Sequence, residues 1–391
     1  MKKILMATSL ALVSSVASAA PIYSIVDLGN LGGAITEGFG INALGQATGY
    51  SYINSSDNHA FSYSNGTMTD IGTLGGSYSG GIGINAAGHI TGHSSIAPFC
   101  NACLEYRAFL FSNGVMINLG TLGGLHSFGQ GINNYDQVTG YSELSGRMVY
   151  RAFLYSNGVM ADLGALGGSS SSGFGINDSG EVTGSAQVSG NVASHAFLFS
   201  NGAMIDLGTL GGSNSGGFGI NAAGQVAGYS ATSSGEDHAF LYSNGTMWDL
   251  GTLGGSYSRG FGINSAGQVT GYADTGSAQH AFLYSNGVMA DLNDLIDTNS
   301  GWILHNANGI NDAGQIIGSG IFNGRTHAFL LTPVQLPEPE IYSLFLTSFG
   351  LLGFFRYRSR AKLHPRISQA RFQIGKDRHV SCRGGQLKGR N

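Results

Sequence analysis

The sequence predicts an all-β fold, a seven-bladed β-propeller of four-stranded blades. The first observation is a repeat: a Gly-Ile-Asn triplet recurs at spacings of 43 to 48 residues and ends at Asn42, Asn85, Asn133, Asn177, Asn221, Asn264 and Asn311. The second is an Ala-Phe pair after each triplet, with its phenylalanine at Phe61, Phe109, Phe153, Phe197, Phe240, Phe282 and Phe329. The third is that the two ends of the repeat array each hold part of one unit. Units of this length that stack face to face are typical of propeller blades.

Each unit is predicted to contain two β-hairpins. In the unit at 217–255, the strands are predicted at Phe218–Asn221, Gln225–Ser230, His238–Ser243 and Thr246–Leu250. The last two flank Asn244-Gly245, and Asn-Gly between β-rich runs is a strong hairpin signal because a type I′ turn needs positive φ at both central positions. The run at 239–242 is apolar on both sides of the pleat, so each blade should be covered on both faces.

The ends of the array predict a closed ring. Residues 23–29 match the last strand of a unit but have no preceding partner, whereas residues 327–331 match a third strand that has no follower. Pairing of these two strands would complete a seventh blade, whereas an open solenoid would need polar capping units. A calcium-binding β-roll would repeat about every nine residues, a period that the sequence lacks. The Thr-Leu-Gly-Gly segments, as at 73–76 and 209–212, are expected to form the tight passage between blades.

Charge divides the chain into an acidic body and a basic tail. Residues 20–355 hold five Lys and Arg against 21 Asp and Glu, a net charge of −16, whereas residues 356–391 hold 11 basic residues and one acidic residue. An acidic body repels phosphate backbones, so we expect no nucleic-acid partner for it.

The N-terminus has the three-part layout of a secretory signal peptide at 1–19. Lys2 and Lys3 precede an apolar run of 13 residues, which is followed by small residues that include Ala17 and Ala19. That run is shorter than the ~20 residues needed to span a bilayer, so cleavage after Ala19 is predicted rather than a membrane anchor. The propeller is then expected at 20–333.

Two of the three cysteines, Cys100 and Cys103, are close enough in sequence to form a small loop disulfide in an exported protein. No second Cys or His pair follows at zinc-finger spacing, so no metal site and no cofactor are predicted.

The repeated polar residues are expected to have structural roles. A histidine precedes Ala-Phe in five units, and arginine replaces it at Arg107 and Arg151. We expect the imidazole to hydrogen bond to a neighbouring strand. The aspartate of the repeated Asp-Leu-Gly segment is expected to stabilise a turn or to link blades; its positions are Asp27, Asp70, Asp162, Asp206, Asp249 and Asp291, with Asn118 in the odd unit.

An enzyme would instead need residues that differ between blades. Two groups qualify: one is Glu143, Arg147 and Arg151, and the other is Asp294, Asp297, Trp302 and His305. Two carboxylates near a Trp and a His would suit glycan hydrolysis or cleavage. No nucleophile elbow, phosphate-binding loop or zinc-protease motif is present, so no catalytic residue is assigned.

The His-Ala-Phe motif, together with Ser-Asn-Gly and Asp-Leu-Gly in phase, resembles the bacterial extracellular HAF repeat family over about 22–333. That resemblance implies an exported repeat protein and brings no reaction. The near-identical units favour a binding or structural protein of the cell surface or extracellular matrix, with exopolysaccharide or another surface glycan as the expected partner, over the alternative, a glycan-active propeller enzyme.

The segment at 334–360 resembles a PEP-CTERM sorting signal. Pro337, Glu338 and Pro339 precede an apolar stretch at 341–355, which is followed by three arginines at 356–360. The resemblance implies transient association with the inner membrane through 341–355 and processing by an exosortase-type protease, in bacteria that build exopolysaccharide or biofilm matrix. Unlike the family pattern, this chain continues beyond its basic cluster as a tail at 361–391, which we expect to be disordered.

Overall fold

The computed structural model describes residues 22–97, 105–146 and 148–334. These residues form seven antiparallel sheets of four strands each, arranged as a ring, so the predicted seven-bladed β-propeller is confirmed. We number blades 1 to 6 along the chain from Thr36, and blade 7 contains both ends of the array.

The innermost strands are β2 (Thr36–Ile41), β6 (Ser79–Ile84), β10 (Gly123–Ile132), β14 (Gly167–Ile176), β18 (Gly211–Ile220), β22 (Ser258–Ile263) and β26 (Trp302–Ile310). The second strands are β3 (Ala47–Tyr52), β7 (Ile90–Ser95), β11 (Val138–Leu144), β15 (Val182–Val188), β19 (Val226–Thr232), β23 (Val269–Asp274) and β27 (Ile316–Phe322). The third strands are β4 (Asn58–Ser64), β8 (Tyr106–Ser112), β12 (Tyr150–Ser156), β16 (Ser194–Ser200), β20 (Asp237–Ser243), β24 (Gln279–Ser285) and β28 (Arg325–Pro333). The outer strands are β5 (Thr67–Asp70), β9 (Val115–Asn118), β13 (Val159–Asp162), β17 (Ala203–Asp206), β21 (Thr246–Asp249), β25 (Val288–Asp291) and, in blade 7, β1 (Tyr23–Asp27). Two short 3₁₀ helices cover Ser189–Asn191 and Leu292–Leu295.

Blade 7 is closed by pairing of the first and last strands. β1 pairs antiparallel with β28, with Tyr23 opposite Pro333 and Asp27 opposite Phe329. The predicted completion of one blade from both ends is therefore confirmed.

The Ala-Phe pair forms the contact between consecutive blades. Neighbouring residues of a strand point to opposite faces of the sheet, so the alanine faces one adjacent blade and the phenylalanine faces the other. Ala60 of blade 1 packs in one cluster with Phe109 of blade 2, and Ala328 of blade 7 packs with Phe61 of blade 1. All seven of these phenylalanines are fully buried, so every contact around the ring seats a large side chain against a small one.

The glycine of Gly-Ile-Asn allows the innermost strands to approach one another. A Cβ built on Gly219 of blade 5 would lie 2.5 Å from the carbonyl oxygen of Phe261 in blade 6. The equivalent position in blade 4, Gly175, would place a Cβ 2.6 Å from the carbonyl oxygen of Phe218. Side chains at these positions would push neighbouring blades apart, so the repeat requires glycine there.

The asparagine of the triplet forms a hydrogen-bonded circle around the axis. In each blade its Nδ2 donates to the backbone carbonyl of the equivalent asparagine in the next blade, as from Asn42 to Asn85 at 2.9 Å and from Asn177 to Asn221 at 3.1 Å. Asn311 of blade 7 donates to Asn42 at 2.9 Å and completes the circle. The Oδ1 atom meanwhile accepts backbone N–H groups of its own turn, as from Gln46 to Asn42.

The turns divide the propeller into two faces. The turn after each Gly-Ile-Asn and the hairpin turn between the third and outer strands lie at one end of the strands, which we call the hairpin face. The loops between second and third strands and the connections between blades lie at the other end, which we call the loop face. Both residues of the Asn-Gly hairpins have positive φ, as at Asn244 (52°) and Gly245 (78°), which confirms the predicted turn chemistry.

A further Asn-Gly turn, Asn323-Gly324, connects β27 and β28 on the loop face. One local feature differs from the sequence predictions. The innermost strand of blade 5 begins at Gly211 rather than at Phe218. Its early part contains an irregularity between the pairs Gly211 with Thr232 and Ser215 with Ser230, and such bulges weaken the strand signal of a glycine-rich segment.

Candidate functional site

The repeated histidine and aspartate pair with each other in the five blades that carry the histidine. The Nδ1 atom of His238 on a third strand lies 2.9 Å from the Asp249 carboxylate at the end of the outer strand. The other carboxylate oxygen, Oδ1, accepts the N–H of Gly251 at 2.8 Å and so closes the turn toward the next blade. The other four pairs are His59 with Asp70, His195 with Asp206, His280 with Asp291, and His327 with Asp27. The predicted hydrogen bond to a neighbouring strand and the predicted turn role are both present, so these residues hold the loop face together.

The arginines that replace histidine have different partners. Arg107 forms an ion pair with Glu105 at 2.9 Å. The Nε atom of Arg151 is buried and has no hydrogen-bond partner within the described residues. The Glu143 carboxylate accepts the N–H of Leu125 at 2.9 Å. Arg147 lies outside the described residues, and Glu143 and Arg151 do not form an ion pair with each other in the described part of the chain.

The final linker has local interactions of its own. The Asp297 carboxylate accepts the N–H of Asn299 at 2.9 Å within its own loop. Asp294 belongs to the 3₁₀ helix Leu292–Leu295, which precedes this loop. Trp302 stacks on Phe322 with the ring centroids 4.8 Å apart. Burial lowers the pKa of His305, and the charge of nearby His280 lowers it further. The Asp297 and Trp302 contacts are those of a loop anchored on blade 7.

A cavity lies on the propeller axis. It has a volume of about 320 Å³ and is lined by one residue from every blade, the residue that stands before Gly-Ile-Asn. These residues are Phe39, Ile82, Gln130, Phe174, Phe218, Phe261 and Asn308. We call this cavity the axial pocket. Its wall is uneven because the position before the triplet is the one that changes from blade to blade.

A second depression of about 300 Å³ lies over blade 4 and reaches blades 5 and 6. We call it the serine groove. It is lined by Ser170, Ser171, Ser172, Phe174, Ser185, Gln187, Ser194, Phe218, Tyr229 and Arg259. Volumes of this order are at the lower end of those of small-molecule sites.

The serine groove exists because blade 4 lacks an aromatic side chain that most other blades carry. At one cross-strand pair, blade 3 has Phe128 opposite Tyr141, whereas blade 4 has Ser172 opposite Ser185. The other blades have Glu37 with Tyr50, Gly80 with His93, Gly216 with Tyr229, Arg259 with Tyr272, and Asn306 with Ser319. Blade 7 also has a serine in this place, but Ser319 is buried. The missing ring therefore leaves an open depression at blade 4.

Polar atoms line the serine groove beside an aromatic wall. Gln187 accepts the Ser169 hydroxyl at 2.9 Å through its Oε1 atom, and Ser185 donates to the Ser215 carbonyl at 3.3 Å. The hydroxyls of Ser170, Ser172 and Ser194 make no hydrogen bond to other described residues. They are the groove's free donors and acceptors.

The far wall of the groove is an aromatic ring held by an ion pair. The guanidinium carbon of Arg259 lies 4.3 Å from the centroid of Tyr229, and its Nη2 bonds to Asp237 at 2.6 Å. Burial raises the pKa of the Tyr229 hydroxyl, and the Asp237 charge adds to that rise while Arg259 opposes it. Tyr229 is therefore a neutral hydrogen-bonding group whose ring position is fixed.

Several sequence predictions lie outside the described residues: Ala17 and Ala19 at the cleavage site, Cys100 and Cys103, and the sorting residues Pro337, Glu338 and Pro339. In the described ranges, no group of three His, Cys, Asp or Glu residues is arranged to hold a metal ion. The same ranges contain no helix with the length and hydrophobicity to cross a membrane.

No family model matches the chain, and no curated protein matches it. Among solved structures, it is similar to the β-propeller domain of the Trilobed protease from Pyrococcus furiosus, with a TM-score of 0.49 and 8% identity over 76% of this chain and 93% of that one. It is also similar to an acylaminoacyl peptidase from Pyrococcus horikoshii, with a TM-score of 0.48 and 10% identity over 81% of this chain and 54% of that one. TolB from Acinetobacter baumannii is a third, with a TM-score of 0.42 and 14% identity over 66% and 62% of the two chains. At such low sequence identity, the similarity concerns the propeller fold alone.

Sequence reasoning missed both the axial pocket and the serine groove. The predictions relied on residues that are the same in every unit, and those residues build the ring. The sites are instead indicated by two positions that vary within an otherwise regular repeat. One is the residue before Gly-Ile-Asn, and the other is the cross-strand pair that includes Ser172 and Ser185.

Proposed function

We propose that this chain is an exported protein of the cell surface or extracellular matrix that binds a polysaccharide through the serine groove. The observation that supports the proposal is the combination in one open depression of free serine hydroxyls with an aromatic wall that includes Tyr229 and Phe218. A sugar ring presents hydroxyls at its edge and C–H groups on its faces, so it can hydrogen bond to the serines and pack against the aromatic side chains.

The charge of the body favours a neutral glycan. With a net charge of −16 over residues 20–355, the body repels uronate-rich or sulfated polymers at low ionic strength. The cation in the groove, Arg259, is already paired with Asp237 at 2.6 Å, so it does not offset this repulsion.

The binding experiment uses the purified full chain on immobilised cellulose, dextran, mannan and alginate. We expect saturable retention on at least one neutral polymer and weaker retention on anionic alginate. Ser185→Tyr, which supplies the ring that Tyr141 and Tyr229 provide in neighbouring blades, should abolish retention by filling the groove. Ser277→Tyr, at an exposed position of the loop face, is the matched control and should bind like the parent chain. Retention of Ser185→Tyr at the parent level would contradict the proposal.

A second pair of variants tests the aromatic wall. Tyr229→Ala should reduce affinity by about tenfold or more, the loss of about 1.4 kcal/mol expected for one aromatic contact. Tyr50→Ala removes the tyrosine at the same strand position of blade 1, away from the groove, and should have no effect on binding. Equal losses in both variants would indicate a general effect on folding.

Export and sorting are proposed from the sequence. We propose that the signal at 1–19 directs export and that an exosortase-type protease processes the chain near Pro339, with 341–355 as the transient membrane segment. Mass spectrometry of the surface or released protein should therefore find an N-terminus at Ala20 and no peptide from 341–391. Replacement of Pro337, Glu338 and Pro339 by alanine should leave the protein with the inner membrane. A released protein that still extends to Asn391 would contradict sorting while leaving the binding proposal intact.

A further inference from the structure

The axial pocket has an aromatic arc on one side. Phe174, Phe218 and Phe261 stand in three consecutive blades, with neighbouring ring centroids 5.0 and 5.2 Å apart. Phe39 of blade 1 adds a fourth ring to the lining. Edge-to-face and tilted contacts at these distances hold aromatic rings in fixed positions, so the arc is a preformed apolar surface.

Two side-chain amides interrupt this apolar lining. The Nδ2 atom of Asn308 donates to the Gly38 carbonyl at 2.7 Å, which fixes the amide and leaves its Oδ1 atom as an acceptor. The amide of Gln130 makes no hydrogen bond to another described residue. Asn308 belongs to blade 7 and Gln130 to blade 3, so the two amides lie on nearly opposite sides of a seven-membered ring. An amide group in apolar surroundings is favourable only when it is hydrogen bonded, so both amides can recognise a ligand.

The axial pocket and the serine groove adjoin each other through two shared lining residues. Phe174 of blade 4 and Phe218 of blade 5 line both of them. A ligand that lies in the groove over blade 4 therefore meets the aromatic arc where it reaches the axis.

The lining changes further along the axis. The next cavity toward the hairpin face has a volume of about 230 Å³ and is lined by Phe39 and by the glycines and isoleucines of the seven triplets. No hydrogen-bonding side chain is present in that lining, so hydroxyl groups would find side-chain partners at the level of Gln130 and Asn308 but not in this next cavity, whose polar surface belongs to the backbone.

We propose that the axial pocket binds the terminal sugar residue of a neutral glycan chain, while the following residues lie in the serine groove. This inference rests on the proposed function and specifies the bound part of the polymer. The terminal ring packs its C–H faces against Phe218 and Phe261 and hydrogen bonds through its hydroxyls to Gln130 and Asn308. A chain interior fits less well, because a residue with neighbours on both sides would have to continue into the cavity below, where no side chain is present to hydrogen bond to its hydroxyls.

The test compares long and short chains of the neutral polysaccharide that the full-length protein retains. Partial hydrolysis to one-tenth of the length gives about ten times as many chain ends per gram, so the fragments should compete about tenfold better at equal mass. Equal competition at equal mass would show binding to chain interiors and would overturn this inference while leaving polysaccharide binding established. Absence of retention on every polymer would overturn the proposed function and this inference together.

Variants separate the two parts of the site. Phe261→Ala changes the axial pocket but not the groove lining, so it should remove the preference for short chains and leave weaker, length-independent binding. Phe322→Ala, which removes a ring stacked on Trp302 in blade 7, is the control for loss of a phenylalanine and should keep the preference. Gln130→Leu keeps the volume and removes the amide, so it tests the hydrogen bond even if Phe261→Ala unfolds. An unchanged preference in Gln130→Leu, with thermal unfolding like that of the parent, would overturn the assigned recognition of the terminal hydroxyls.

Discussion

His327 and Asp27 are 300 residues apart in the chain, yet the Nδ1 atom of His327 lies 2.9 Å from the Asp27 carboxylate. This is the same pair that each of the other histidine-bearing blades forms within a single hairpin, as between His238 and Asp249. In blade 7 the two residues come from the opposite ends of the repeat array. The closure of the ring therefore reproduces the internal contacts of an uninterrupted blade.

Deletion of the last strand should destabilise the whole propeller. Residues 327–333 carry the fully buried Phe329 and Leu331, and reduction of even one buried phenylalanine to alanine costs about 3–5 kcal/mol. We expect a chain ending at 326 to unfold at a markedly lower temperature than one ending at 334, because β1 also loses its only partner strand. Equal unfolding midpoints of the two chains, measured by circular dichroism, would argue against a closed ring.

Loss of one amide from the asparagine circle should be costly. Asn177→Ala leaves the Asn221 carbonyl and two backbone N–H groups of its own turn without their partner, so the free energy of unfolding should fall by about 1–3 kcal/mol. Asn85→Ala, in another blade, should cost a similar amount because the contact is the same. Asn299→Ala in the exposed loop before β26 is the control and should unfold like the parent in urea titrations. A cost limited to one blade would mean that the circle is not a shared stabilising element.

The close approach of the innermost strands predicts a contrast between two glycines. A Cβ on Gly219 would lie 2.5 Å from the Phe261 carbonyl oxygen, whereas one on Gly80 would have His93 Cε1 as its nearest neighbour at 3.4 Å. Gly219→Ala should therefore destabilise the protein by about 1–3 kcal/mol through overpacking. Gly80→Ala should be neutral or slightly stabilising, because alanine restricts the unfolded chain. Chemical denaturation of both variants provides the comparison, and equal effects would contradict this account of the repeated glycine.

A buried histidine should make stability depend on pH. Burial lowers the pKa of His93 to about 4, from the 6.5 that is ordinary for a solvent-exposed histidine. Between these values the unfolded chain binds a proton that the folded chain does not, so stability falls as pH decreases from about 6.5 to 4, by up to about 3 kcal/mol. His93→Tyr should flatten that part of the stability profile, since blade 5 already has Tyr229 opposite a glycine at this position. His126→Phe is the control, and an unchanged slope in His93→Tyr would exclude His93 as the source.

The fold could be predicted largely because it depends on what recurs. Blade number follows from counting triplets, and closure follows from the unmatched strands at 23–29 and 327–331. The histidine bond could be anticipated because His238 and Asp249 are 11 residues apart in one hairpin. The asparagine circle could not, because each bond joins residues 43 to 48 positions apart along the chain, except for the closing bond from Asn311 to Asn42.

The candidate site could not be predicted from the sequence for a related reason. Ser185 alone indicates no site, because the groove results from the contrast with the tyrosines at the same position in neighbouring blades. Its nearness to Tyr229 and Arg259 depends on how blades 4, 5 and 6 pack. Hairpin register predicts contacts within a blade, whereas the packing of one sheet on the next decides contacts between blades.

The asparagine circle does not depend on where the repeat array begins and ends. All seven amides donate in the same rotational direction, and the bond from Asn311 to Asn42 has the same form as the other six. At the axis there is consequently no first and no last blade. The location of the two ends of the repeat array in blade 7 is thus not required by the ring, so a circularly permuted propeller, with the ends of the array joined and new ends opened at the exposed Asn201-Gly202 turn, would assemble the same interior.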